Sequence, residues 1–145
     1  MKNIFGCISL PRKMIYHKHL NEAVVGINKI LQSDITLVDG LVGLGRYPIK
    51  MDLLMASENV FSIDWCASKI LRYNPKSLDF IRIAEKEGIG NSKDLILVGE
   101  DLNRYTKIFP KPGMISTEQL WGLEIKMLNL YSKVVGDIIP PFAQE

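Results

Sequence analysis

The sequence predicts an α/β domain: a small mixed or parallel sheet flanked by helices, and a sheet short of strands. Three observations carry this. Short runs rich in β-branched and aliphatic residues alternate with longer segments of helical periodicity. The apolar fraction is 47% and the charged fraction 23%, so a packed core is expected rather than disorder. Only about three segments read as core strands, fewer than the usual five or six of a sheet. An incomplete domain, or one completed by oligomerisation, is therefore expected.

The elements follow in order. Residues 20–32 place Leu20, Ala23, Val24, Ile27, Ile30 and Leu31 on one helical face, with Asn21 as a candidate cap. Ile35 to Val38 read as a buried strand ending at Asp39. A loop with Gly40, Gly43 and Gly45 comes next, then a second strand over residues 52–57. Ser57 or Asn59 can cap the following helix, which carries Val60, Ile63, Ala67, Ile70 and Leu71. Pro75 breaks that helix and suits the first turn of another, which runs to Gly88 as its C-terminal cap. "DLILVGE", residues 94–100, is the last clear strand. "FPKPG", residues 109–113, is a linker or rigid turn. Residues 116–136 read as a C-terminal helix capped by Thr117, with Gly122 costing its interior about 1 kcal/mol. The tail after it is extended. Residues 1–110 form the domain, and residues 111–145 form a C-terminal helix and tail.

Charge and composition narrow the function classes. The net charge of +2 is small, and no stripe of basic and aromatic residues is present, so nucleic-acid binding is not expected. The cluster Arg12, Lys13, His17, Lys18, His19 reads as a solvated loop, with an anion site as the alternative. No apolar run approaches the length of a membrane span, and Pro11, Arg12 and Lys13 follow the first apolar run where a signal cleavage site would stand. A cytoplasmic protein with no membrane partner is expected. Cys7 and Cys66 read as buried free thiols, one disulfide being the alternative. With two cysteines and no C-x-x-C pair, this chain alone ligates no iron–sulfur cluster.

Asp39 falls where a strand should end, and α/β sheets place ligands beyond the carboxyl ends of strands. Gly40, Gly43 and Gly45 would let backbone approach a ligand closely. Against a nucleotide loop, the spacing is G-x-x-G-x-G, no helix follows directly, and no Walker lysine is present. Asp64, among apolar residues of a helix, is either a satisfied structural acid or a site carboxylate. His17 and His19 would share a face on a strand, but read as surface residues in a loop. Trp65 and Trp121 read as core or interface.

Several segments in order resemble one family: "KNIFG" at 2–6, "HKHL" at 17–20, "VDGLVGLG" at 38–45, "ASENVFSIDWCASKIL" at 56–71, "NPKSLDFIRIAEKEGIG" at 74–90 and "ILVGE" at 96–100. They resemble the C-terminal half of the domain of unknown function 362 family over residues 1–110. That family is often found in anaerobes and archaea, beside ferredoxin-type iron–sulfur modules. The resemblance implies a polar cleft formed by Lys2, Asn3, His19, Asp39, Gly40, Gly43, Gly45, Asn59 and Asp64. Two departures stand out. The family's loop commonly carries an acid and a glycine where Leu44 runs directly into Gly45 and Tyr47 precedes Pro48. The family's first half, with its Lys-Pro-Asn and Lys-Thr-His motifs, has no counterpart in this sequence.

Two functions are thus expected to compete. One is a redox- or metal-linked domain, with Asp39, Asp64 and His19 as catalytic or metal-ligating groups and Lys2, Asn3, Gly40, Gly43, Gly45 and Asn59 as ligand-binding residues. The other is a non-catalytic truncated or split module. It would associate with itself, with a chain supplying the N-terminal half, or with a ferredoxin-type protein.

Overall fold

The computed structural model describes residues 1–8, 16–17, 19–44 and 48–109. The apolar stripe of the first helical segment forms α1, Leu20–Ile30, which buries Val24 and Val25. His19, not Asn21, occupies its N-cap position, and no side chain caps it. The chain then forms β1, Thr36–Leu44, and β2, Pro48–Ser57, followed by α2, Val60–Ile70, α3, Asp79–Lys86, and α4, Leu102–Ile108. Pro75–Ser77 is a single 3₁₀ turn before α3, with Asn74 accepting the Lys76 N–H, so Pro75 opens a turn rather than the helix itself. The α/β class holds.

The sheet differs from expectation in direction and extent. Among the described residues it has two strands, β1 and β2, paired antiparallel, where a parallel or mixed sheet was expected. Residues 94–100 carry the composition of a strand, yet the described residues make no backbone hydrogen bond to Ile96, Leu97 or Val98. Ile96 is 88% exposed and Val98 87%. Strand propensity reports how a residue fits a pleated, half-buried surface, and the described residues place no such surface beside this segment.

The expected glycine loop is also different. Asp39, Gly40 and Gly43 lie within β1 itself, while Gly45 lies outside the described residues. The pairing Gly40↔Leu53 is followed by Val42↔Lys50, so Met51 and Asp52 together face the one residue Leu41. Asp52, one of the two bulged residues, takes φ 50°, in the left-handed region. Asp39 Oδ1 accepts the Leu41 N–H at 3.0 Å, satisfying a donor at the point where the ladder is interrupted. The glycines serve packing. A Cβ at Gly43 would run into Met51 Sδ and stand 3.1 Å from a ring carbon of Phe109, and one at Gly40 would stand 3.1 Å from the Leu53 carbonyl oxygen.

Two apolar clusters hold the elements. The first joins Phe5, Val24, Val25, Phe61, Ile81 and Ala84, so α1, α2, α3 and the N-terminal 3₁₀ turn Ile4–Cys7 meet there. The second joins Met51, Leu53, Ile70, Tyr105 and Phe109 under the hairpin. α2 enters both, with Phe61 at one end and Ile70 at the other. α3 ends as the sequence predicts. Gly88 takes φ 75°, the Ile89 N–H donates to the Ala84 carbonyl and the Gly88 N–H to that of Glu85, a Schellman cap. α4 was not evident from periodicity, because its seven residues are short and Asp101, which accepts the Asn103 N–H, is its main signal. The expected helix at 116–136, with Thr117, Trp121 and Gly122, lies outside the described residues.

Candidate functional site

α2 positions the central acid. Asn59 caps that helix by accepting the Phe61 N–H at 2.8 Å, and its amide donates to the Ile89 carbonyl at 2.8 Å. The helix then turns Asp64 toward the N-terminal segment, where its Oδ2 lies 2.7 Å from the Met1 amine. The Met1 carbonyl accepts from Asn28 Nδ2 at 3.0 Å, and that same amide donates to the Val24 carbonyl at 2.7 Å. Asn28 is buried and was not singled out from sequence. A polar residue on the apolar face of α1 was the signal that could have found it.

Met1, Val24 and Asp64 border a cavity of about 630 Å³. Lys2, Asn3 and Asp64 all line it. Its walls are apolar, with Leu20 and Val24 from α1, and Ile63, Ala67 and Leu71 along and just beyond α2. Thr36, Leu37 and Val38 of β1 close one side. The carboxylate is neutralised by the amine it holds, so the arrangement suits an apolar occupant better than a charged one.

The other sequence candidates lie elsewhere. Asp39 is exposed on the hairpin, where it serves the bulge, and neither it nor Gly40 nor Gly43 borders the cavity. His19 is exposed at the start of α1. Asn59 borders two polar clefts beside α3 and the loop after it, not the cavity of Asp64. Thus Lys2, Asn3 and Asp64 converge, and the other described candidates do not. Among the described residues no three His, Cys, Asp or Glu side chains form a group that could hold a metal ion. Both cysteines are free thiols, and Cys7 is exposed rather than buried. Burial pushes the Cys66 thiol up, partly offset by nearby Lys69, which leaves it protonated and a poor nucleophile at neutral pH.

Glu85, in the last turn of α3, has a shifted titration. The Ser92 hydroxyl and backbone N–H both donate to Glu85 Oε1, at 2.7 and 2.8 Å. These bonds, with Lys76 and Lys93 nearby, hold its carboxyl below the usual range. The folded pKa lies below the unfolded one, so its contribution to stability is complete above the ordinary carboxylate value. It is lost as pH falls through the lowered value. Thermal midpoints measured against pH should therefore fall less steeply on the acid side in Glu85→Gln than in the unsubstituted chain. Ser92→Ala should lie between them.

Residues 1–69 match the model of a domain of unknown function, DUF362. That segment is similar to the DUF362 family. It contains Lys2, Asn3, the hairpin and Asp64, and it ends within α2. A thylakoid-associated protein, sll1697, of the cyanobacterium Synechocystis sp. is 28% identical over 102 residues, which cover 61% of this chain and 32% of the relative. The chain thus spans about a third of that relative's length. No solved structure matches the chain. No helix among the described residues is long and apolar enough to cross a membrane.

Proposed function

We propose that this chain is a non-catalytic binding module. It works as one part of a composite α/β domain whose sheet is completed by strands from another polypeptide. The observation that carries this reading is the two-stranded sheet. A lone antiparallel pair is marginal in water; here α2 and α4 support one face of the pair, but nothing among the described residues pairs with the outer edge of β1. β1 has β2 on one edge and no described strand on the other. An edge of nine residues with no partner among the described residues is a template for another strand. The partial span of the relative supports the same reading, because a longer chain has room for the additional strands.

The family resemblance to a C-terminal half fits this proposal, and the complement is then a chain carrying the other segments or a second copy. The redox- or metal-linked alternative draws on Asp39, Asp64 and His19 acting together. Asp39 and His19 both stand outside the cavity that holds Asp64, so the geometry favours the binding module.

Light scattering on the full chain across a concentration series tests the proposal, followed by co-purification from its native cell at low concentration. A mass above one chain, or a stoichiometric partner, is the expected result. A monomer at every concentration with no stoichiometric partner would overturn it.

A further inference from the structure

Two features of the chain complement each other. The first is the cavity beside Asp64. Thr36, Leu37 and Val38 all line it. Successive side chains of a strand point to opposite faces. A cavity that touches three residues in a row therefore lies along the strand's edge and not on one face. β2 occupies the opposite edge, through Thr36↔Ser57, Leu37↔Ala56 and Val38↔Met55, and none of those three partners borders the cavity. The cavity thus occupies the position of a third strand beside β1, with the apolar side of α2 as its wall.

The second feature is the segment Ile96, Leu97, Val98. All three residues are exposed, Leu97 at 53%, and their backbone groups have no backbone partner among the described residues. Leu95 just before them packs on the first apolar cluster, and Gly99 just after them turns the chain at φ 102°. The segment is therefore anchored at Leu95 and redirected at Gly99. Three apolar residues in a row, with no polar alternation, are the pattern of a strand covered on both faces. Charge agrees as well. Asp94 beside the segment and Lys2 at the cavity form no ion pair among the described residues, and their signs are opposite.

Resting on the composite-sheet reading above, we infer that the occupant of the β1 edge is the Ile96–Leu97–Val98 segment of a second copy of this chain. The exchange is reciprocal: each copy donates its segment and accepts the other's, as two-fold symmetry requires. Backbone hydrogen bonds to the β1 edge supply the pairing. The apolar side chains enter the groove against Ile63, Ala67 and Leu71.

Ile96→Pro removes a backbone N–H and restricts the segment, at a position that makes no backbone hydrogen bond within its own chain. Val98→Asp leaves the backbone intact and places a charge in the apolar groove. Sedimentation of the full chain should show a dimer whose dissociation constant rises about tenfold or more in either variant, with far-UV circular dichroism unchanged. In a background with Cys7→Ser and Cys66→Ala, mixing Val38→Cys chains with Leu97→Cys chains under mild oxidation should give a covalent heterodimer. Neither variant alone should dimerise covalently to the same extent. A dimer unaffected by both segment substitutions, with no cross-link, would overturn this inference and leave the composite reading standing. A heteromeric assembly with no self-association would do the same. A chain that is monomeric and partnerless would overturn both.

Discussion

Phe61→Ala is expected to destabilise the fold by about 3–5 kcal/mol. Phe61 is fully buried, with no exposed surface, and stands where α1, α2 and α3 meet. Its surroundings have little freedom to collapse. A Cβ at Gly90 would stand 2.6 Å from the Phe61 ring, so the ring already lies against the backbone of the loop after α3. Removing the ring leaves a void bounded partly by main chain. Since a small domain has a total stability of about 5–15 kcal/mol, the variant should be marginal or unfolded at physiological temperature. Urea unfolding followed by circular dichroism, at one fixed protein concentration, would read the loss. A change below about 1 kcal/mol would show that the first apolar cluster is not the core of the molecule.

Asn59→Ala is expected to cost about 2 kcal/mol, from two separable contributions. The side-chain oxygen caps α2 through the Phe61 N–H, and the side-chain amide ties the helix start to the Ile89 carbonyl. Asn59→Ser should recover about 1 kcal/mol, because a serine hydroxyl restores the cap but does not reach Ile89. Asn59→Asp should keep the cap while setting a carboxylate against a carbonyl oxygen, and should recover little of the second contribution. Equal stability in all three variants would show that Asn59 serves neither contact. The residue would then be free for the ligand role that the family resemblance implies.

The sequence revealed those elements whose signals are local. The helical face of Leu20, Val24 and Ile27 in α1, the Asn59 cap of α2 and the Gly88 terminus of α3 each depend on residues a few positions apart, and each is present in the structure. What failed depended on partners distant in sequence. Glycines at 40 and 43 look the same whether they free a loop or make room for Leu53, Met51 and Phe109, and only the hairpin register decides. Residues 94–100 carry strand composition whether or not a neighbouring strand exists. Of the polar candidates, Lys2, Asn3 and Asp64 converge, because Met1 binds Asp64 and Asn28 holds Met1 in place. That contact spans 63 positions, and no short motif encodes it.

The central claim is that the outer edge of β1 is a strand-pairing edge and not a solvated one. Hydrogen exchange of the Thr36 to Gly40 amides measures this directly. β2 protects only alternate amides of β1, so a solvated outer edge leaves the others exchanging freely. In the assembled protein, consecutive amides from Thr36 to Val38 should exchange slowly, reverting to the alternating pattern on dilution below the assembly threshold. An alternating pattern that persists at every concentration, and in the presence of any co-purified partner, would contradict it.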